Sequence, residues 1–267
     1  GQTIHHIPKK KISIQLGNPK MLSKMLNKNV IFDFRSNDLA LGGQGAPLAP
    51  IYHKLIIEKL NLELPFCILN IGGVSNLTYW DGQNLIGFDT GPGNALIDDY
   101  SLITFNKDYD KDGSLASKGV PIKEEIKKFL QHEFFKKPPP KSLDRLSFFM
   151  SYNELIKKKY SVYDTISTLV EYTTESIANS LNFLPKKVRH ILVTGGGHRN
   201  LYLMNRLKEK LNLKFFNEKE LGLECDFIES ELIAYLSARS IYQLPITFPS
   251  TTGVSRPLSG GQLYQFS

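Results

Sequence analysis

Cysteine is scarce: Cys67 and Cys225 are the two in 267 residues, far apart and each inside an apolar stretch. A disulfide framework is thereby excluded, as is a thiolate zinc site, and a reducing, cytoplasmic setting is expected. No apolar run approaches the roughly 20 residues that span a bilayer, and no basic, apolar, small-residue leader opens the chain, so no membrane partner is expected. Four common catalytic signatures are missing: G-x-x-x-x-G-K-[ST], G-x-G-x-x-G after a strand, H-E-x-x-H and G-x-S-x-G. His5, His6, His53 and His198 lack metal-ligand spacing and read as solvated or capping residues. Acidic residues are outnumbered 26 to 33 by lysine and arginine, leaving +7, so an anionic partner has to be considered. The lysines recur along nearly the whole chain (Lys9, Lys10, Lys11, Lys127, Lys128, Lys157, Lys158, Lys159), without a basic stripe interleaved with aromatics. That pattern argues for a solvated surface and against a nucleic-acid groove.

What is present is ordinary globular material: 41% hydrophobic, 11% aromatic and 22% charged residues, in a chain long enough for one large or two modest cores. Val30 to Arg35 alternates as a half-buried strand should, and a glycine loop, Gly42 to Gly45, follows. Pro47 sits where a helix can begin, with Ile51, Leu55 and Ile56 on its apolar side. Phe66 to Ile71, Val74 to Trp80 and Leu85 to Phe88 read as three meander strands joined by glycine turns. Ile122 to Phe135 and Val162 to Leu184 carry helical spacing, with Pro138, Pro139 and Pro140 forcing an extended connection between them. His190 to Thr194 is a strand halted by Gly195, Gly196 and Gly197; helices follow near Leu201 and over Glu229 to Tyr242. Strands alternating with helices indicate an α/β or α+β architecture. Leu258 to Gln262 spells LSGGQ, a string of transporter ATPase cassettes, but without an upstream P-loop it reads as a tail loop.

Three glycine clusters stand at strand ends: Gly72 with Gly73, Gly91 with Gly93, and Gly195 to Gly197. Each lies beside hydroxyl or amide donors, among them Ser75, Asn76, Thr90, Asn94, Thr194 and Asn200. Glycine lets backbone N–H groups approach a phosphate, and a helix starting just after adds its positive end, so together the clusters favour nucleotide binding. Asp89 ends an apolar strand against Thr90-Gly91-Pro92-Gly93-Asn94, the placement of a general base and equally of an Asx turn or helix cap. Arg35 suits a carboxylate clamp or a pair with Asp33 or Asp38.

Read together, Gly1-Gln2-Thr3, Asp33-Phe34-Arg35 with Asp38, ALGGQGAPL (Ala40 to Leu48), LNIGGVSNLT (Leu69 to Thr78), GFDTGPGNA (Gly87 to Ala95), YDKDG (Tyr109 to Gly113), KPPPKS (Lys137 to Ser142) and VTGGGHRN (Val193 to Asn200) resemble the anhydro-N-acetylmuramic acid kinase family. The motifs lie in order across almost the whole chain. The resemblance implies an α/β, two-domain actin-like ATPase fold of ribonuclease H-like topology, with ATP between the domains. Residues 1–64 would be the remainder of domain I with the first interdomain helix. Residues 65–228 would be domain II, and 229–267 the second interdomain helix and C-terminal return.

By the same resemblance, water opens the 1,6-anhydro bridge of anhydro-N-acetylmuramate while O6 takes the γ-phosphate of ATP, with Mg²⁺, giving N-acetylmuramic acid 6-phosphate for cell-wall sugar recycling. Asp89 matches the catalytic aspartate. Gln2, Thr3, Arg35, Asp38, Gln44 and Glu229 fall on the sugar side; Gly72, Gly73, Asn76, Thr90, Gly91, Gly93 and Asn94 on the phosphates; Gly195, Gly196, Gly197, Arg199 and Asn200 on the adenosine. Metal ligands are not implied, and a homodimer is left open. Two departures stand out. Leu143-Asp144-Arg145 replaces the family's Thr-Gly-Arg, and the family's Gly-Thr-Ser-Leu-Asp-Gly phosphate hairpin does not precede Gly1. The expectation drawn from the second is a first domain without its N-terminal strands and weak turnover by these 267 residues alone. A non-catalytic actin-like nucleotide or sugar binder is the alternative.

Overall fold

The structure, a computed structural model, describes residues 3–144, 146–224 and 227–266. Its strands are β1 (Thr3–Ile7), β2 (Ile12–Gln15), β3 (Val30–Phe32), β4 (Phe66–Ile71), β5 (Val74–Trp80), β6 (Leu85–Pro92), β7 (His190–Thr194), β8 (Lys214–Phe216) and β9 (Gln262–Tyr264). Its α-helices are α1 (Pro19–Leu26), α2 (Ser36–Ala40), α3 (Pro50–Lys59), α4 (Ala95–Phe105), α5 (Lys123–Phe129), α6 (Phe149–Lys157), α7 (Val162–Ser180), α8 (Leu201–Lys210), α9 (Ile228–Ile241) and α10 (Pro249–Thr252). Among the described residues no helix is long and apolar enough to cross a membrane.

The central sheet runs β6-β5-β4-β7-β8. The first three strands form the antiparallel meander expected from the glycine turns, and β7 and β8 run parallel to β4. This is the ribonuclease H-like order, with the helices from α4 to α7 crossing between the meander and β7. Phe66 to Leu69 reads as an unbroken apolar run because β4 is covered on both faces. Cys67, Leu69 and Ile71 face one core, packed by Leu96 and Ile97 of α4, Ile166, Leu169 and Val170 of α7, and Leu203 and Leu207 of α8. Phe66 and Ile68 face the other, where Ile51, Tyr52, Ile56 and Ile57 of α3 meet Leu236 of α9. Cys67 is buried; Cys225 lies outside the described residues.

The helix expected near Pro47 begins at Pro50 instead, and its position is set by Gly87 on β6. A Cβ there would fall 2.3 Å from Pro50 Cγ, so only glycine lets α3 lie on the sheet. Gly87→Ala is expected to lose about 1–3 kcal/mol of stability, read as a lower denaturant midpoint at unchanged slope. An unchanged midpoint would show that α3 packs otherwise.

The alternation of Val30 to Arg35 ends early, at Phe32, because Asp33 turns to φ +55° and its carboxylate accepts from the Ser36 N–H and hydroxyl, starting α2. The Ile122 to Phe135 helix likewise stops at Phe129, with a short 3-10 turn over Glu133–Lys136. The LSGGQ segment is structural: Leu258 bridges Thr247, Gly261 lies against Ser240, and Gln262 begins β9, which pairs antiparallel with β3.

Candidate active site

Side chains alternate along a strand, so the apolar stripe facing α3 and α9 has a fixed continuation at the strand ends. After Phe66 and Ile68 comes Asn70; beyond Trp80 and Thr78 comes Asn76; after Leu85 and Gly87 comes Asp89; after Leu192 comes Thr194. The register aligns them, Asp89 opposite Asn76, Asn76 opposite Asn70, and Asn70 beside Thr194. Four polar side chains thus form one row across four strands, at the carboxyl ends of the parallel pair β4 and β7. Ligands of α/β sheets gather at such edges.

All three glycine clusters meet this edge. The Gly72–Gly73 turn joins β4 to β5 and is open to solvent. Its carbonyls are occupied: Gly93 N–H donates to Gly73 O at 2.9 Å, Asn94 N–H to Gly72 O at 2.7 Å and Ala95 N–H to Gly73 O at 3.2 Å. The amides at the start of α4 therefore brace the hairpin. Thr173 of α7 backs this arrangement by donating to Gly93 O at 2.8 Å. Thr90 is buried against the Ser75 hydroxyl, and Gly91 packs beside Ser176. Gly195 and Gly197 lie against the end of β4, close to Asn70 and Ile71, and Asn94 donates to Ile71 O at 3.2 Å. Within this group the structure separates an accessible set, Gly72, Gly73, Asn76 and Gly196, from a buried supporting set, Thr90, Gly91, Gly93 and Gly197.

Asp89 is 9% exposed and held from two sides by the loop after the prolines. Its N–H donates to Lys141 O at 2.9 Å, and its Oδ2 accepts the Leu143 N–H at 2.7 Å. Burial raises its pKa to about 7, against the opposing pull of the Leu143 N–H and the Arg35 charge. Burial also lowers the pKa of Arg35, offset by the negative charges of Asp89 and Asp38. The Arg35 guanidinium donates to Gly45 O. Asp33 is turned away to Ser36 and Gln262.

The Gly42 to Gly45 loop is tied down by Asp38, 1% exposed, which accepts from Gly45 N–H at 2.6 Å and from the Thr252 hydroxyl at 2.6 Å. Gln44 then reaches the proline loop: its amide donates to Pro140 O at 3.2 Å, its carbonyl accepts from Ser142 Oγ, and its N–H donates to Thr252 O at 2.8 Å. His6 belongs to the same cluster; burial and the Arg35 charge lower its pKa, while the Gln44 carbonyl and Asp144 raise it.

Asp89, Arg35, Asp38 and Gln44 are therefore brought together. Thr3 lies on the exposed edge of β1, accepting from Gln15 at 3.2 Å, and Glu229 stands exposed in the first turn of α9; the bonds that link the other four include neither. Gln2 lies outside the described residues. Arg199 is exposed beside the third glycine cluster, whereas Asn200 is buried as the N-cap of α8, accepting from Leu203 N–H at 3.0 Å. The motif reading passed over Asn70 and Thr252. Asn70 was findable, as the polar residue breaking an apolar strand before Gly72. The Leu143 contact uses a backbone amide, so the departure from Thr-Gly-Arg leaves it available.

Three comparisons bear on this geometry. The family model described as anhydro-N-acetylmuramic acid kinase matches residues 1–266. Proteins named anhydro-N-acetylmuramic acid kinase from Rhodopseudomonas palustris and Bradyrhizobium diazoefficiens are 43% and 40% identical to this chain, each over 98% of it and 71% of their own length. Among solved structures, the activator of the 2-hydroxyisocaproyl-CoA dehydratase from Clostridium difficile with bound ADPNP is 13% identical, covering 66% of this chain and 64% of its own, at a TM-score of 0.42. A ligand-bound xylulose kinase from Lactobacillus acidophilus is 12% identical, covering 68% and 41%, at 0.41. The family model spans residues 1–266 and the sequence relatives cover 98% of the chain, and the chain belongs to the anhydro-N-acetylmuramic acid kinase family.

Proposed function

We propose that this kinase couples hydrolysis to phosphoryl transfer: it opens the 1,6-anhydro bridge of 1,6-anhydro-N-acetylmuramic acid and yields N-acetylmuramic acid 6-phosphate and ADP, a step in reuse of cell-wall sugar. The observation that carries this reading is Asp89, a buried carboxylate with a pKa raised to about 7, ending a polar row that opens onto the glycine-lined edge. A base so tuned takes a proton from water at neutral pH far better than an exposed aspartate does. The water oxygen bonds to C1, its proton passes to Asp89, the C1–O6 bond breaks, and O6 takes the γ-phosphoryl group of ATP. Arg35 and Gln44, beside Asp89, orient the sugar, with Arg35 facing its acidic lactyl group.

We assign the phosphates to the open Gly72–Gly73 turn and Asn76, braced by Thr90, Gly91, Gly93 and Asn94. The adenosine is assigned to Gly195 to Gly197 with Arg199 and Asn200. Asn70 and Thr194, further along the row from Asp89, offer oxygen ligands of the kind Mg²⁺ takes. Among the described residues no cluster of three or more acidic, histidine or cysteine side chains forms a metal cage. That donor set fits an ion that keeps mostly phosphate and water ligands. Mg²⁺ so held neutralises charge on the transferred group. The residue spans 1–64, 65–228 and 229–267 are proposed as the first-domain part, the second domain and the returning connection. Use of ATP and a buried free thiol at Cys67 suit a reducing, cytoplasmic setting.

The test is incubation of the protein with ATP, Mg²⁺ and the anhydro sugar in ¹⁸O-water. One labelled oxygen in the sugar and none in its phosphoryl group is expected by mass spectrometry. ATP hydrolysis with label in free phosphate and the sugar unopened would overturn the reading.

A further inference from the structure

Lys141 is an unusual lysine. It is 6% exposed, its Nζ donates to Phe134 O at 3.1 Å, and its charge lies over three rings, 4.3 Å from the centroid of Phe183, 4.5 Å from Phe134 and 5.8 Å from Phe88. A buried ammonium tolerates so apolar a setting only where ring faces and a carbonyl replace its water. The location of the cage gives it a consequence. Phe88 and Asp89 are neighbours on β6 and point to opposite faces of the sheet, Phe88 into the core under α7 and Asp89 into the site. Lys141 grips that strand twice, by its side chain against Phe88 from behind and by its carbonyl on the Asp89 N–H. Two residues later the same loop presents Leu143 N–H to Asp89 Oδ2, and Ser142 and Pro140 hold Gln44.

We propose that Lys141 is a positioning residue for Asp89: its caged ammonium sets residues 140–143 so that the Leu143 N–H reaches the carboxylate and Gln44 is held beside it. The inference rests on the reading of Asp89 as the base. Lys141 acts through the loop and not through its charge, since the charges that bear on Asp89 are Arg35 and, through Arg35, Asp38, with His6 and Asp144 in the same cluster. Arginine can preserve such a grip, being a cation that also lies flat on rings, whereas methionine fills the space without charge or donor.

The experiment compares wild type, Lys141→Met and Lys141→Arg by the pH dependence of kcat, the KM for ATP, and the ¹³C titration of the Asp89 carboxyl in the unliganded protein. Losing the Leu143 N–H removes a contact that favours the ionised form. In K141M the acidic limb of kcat and the carboxyl titration both move up by about one pH unit. At pH 7, kcat falls about fivefold while the KM for ATP stays within about twofold. K141R keeps the wild-type limb. Thermal melting confirms that each variant is folded. A K141M protein whose kcat falls while both titrations stay in place would overturn the proposal, as would a change confined to KM. Should Asp89→Asn keep full activity, the base reading fails instead, and the carboxyl titration of K141M still decides the positioning of Asp89.

Discussion

Asp89→Asn is expected to lower turnover by about 10²–10⁴-fold, the range removed with a general base, and at the same time to make the protein more stable above neutral pH. The first effect follows from geometry. Asparagine keeps the oxygen that accepts the Leu143 N–H and loses only the capacity to take a proton. For the same reason wild-type kcat should fall about tenfold per unit as pH drops below about 7, the ionised carboxylate being the active form. The second effect follows from linkage. The folded pKa, about 7, lies above the ordinary 3.8, so the native state binds the extra proton between these values. The stability contributed by the neutral carboxyl is complete below pH 3.8 and is lost as pH rises through 7. At about 1.4 kcal/mol per unit, the ionised form at pH 8 carries a penalty on the order of 4 kcal/mol, which asparagine escapes. A melting point several degrees above wild type at pH 8, shrinking towards pH 4, is the expected record. A variant with full turnover would refute the base; one that melts below wild type at pH 8 would refute the burial argument.

The second large effect belongs to the hairpin. A Cβ on Gly93 would fall 2.1 Å from Gly72 O, the atom that accepts the Asn94 N–H, so Gly93→Ala must push the two loops apart. Overpacking of this kind costs about 1–3 kcal/mol, and the displaced turn carries the proposed phosphate contacts with it. A Cβ on Gly73 meets nothing closer than 3.7 Å, at Ala95. Gly73→Ala is therefore expected to melt with wild type and yet to bind ATP at least tenfold more weakly by calorimetry, because it places a methyl on the surface the phosphates approach. Gly93→Ala loses both stability and ATP affinity. Equal ATP binding by wild type and Gly73→Ala would move the phosphate site elsewhere.

The legible part of the fold was its strongly periodic part. Three meander strands, the strand before Gly195 and the long helix through Val162 stand close to where alternation and 3.6-residue spacing put them. Short elements escaped, among them α1, α2, α6 and β8, because a few residues carry little period and their limits depend on side chains such as Asn18 and Asp33. The site divides along the same line. Asp89 and the glycines were readable because chemistry and backbone geometry restrict the residue type. The proline loop was visible as a motif, but its contacts to Asp89 are the carbonyl of Lys141 and the amide of Leu143, backbone groups that carry no sequence signal. Whether Asp89 is a base or a cap was undecidable from spacing; its burial beside Arg35 is what supports the proposed base.

The bond from Thr252 to Asp38 joins residues 214 positions apart, and Gln44 reaches across 98 to Ser142. The loop proposed to orient the sugar is therefore closed by a segment 214 residues further along the chain. Contacts of such span form late, after the sheet and its helices have already collapsed. Until they form, the glycine edge of the sheet lacks the Gln44 and Arg35 side of the proposed site. A ligand that needs both sides of the proposed site binds only the folded protein, and so favours these contacts by mass action.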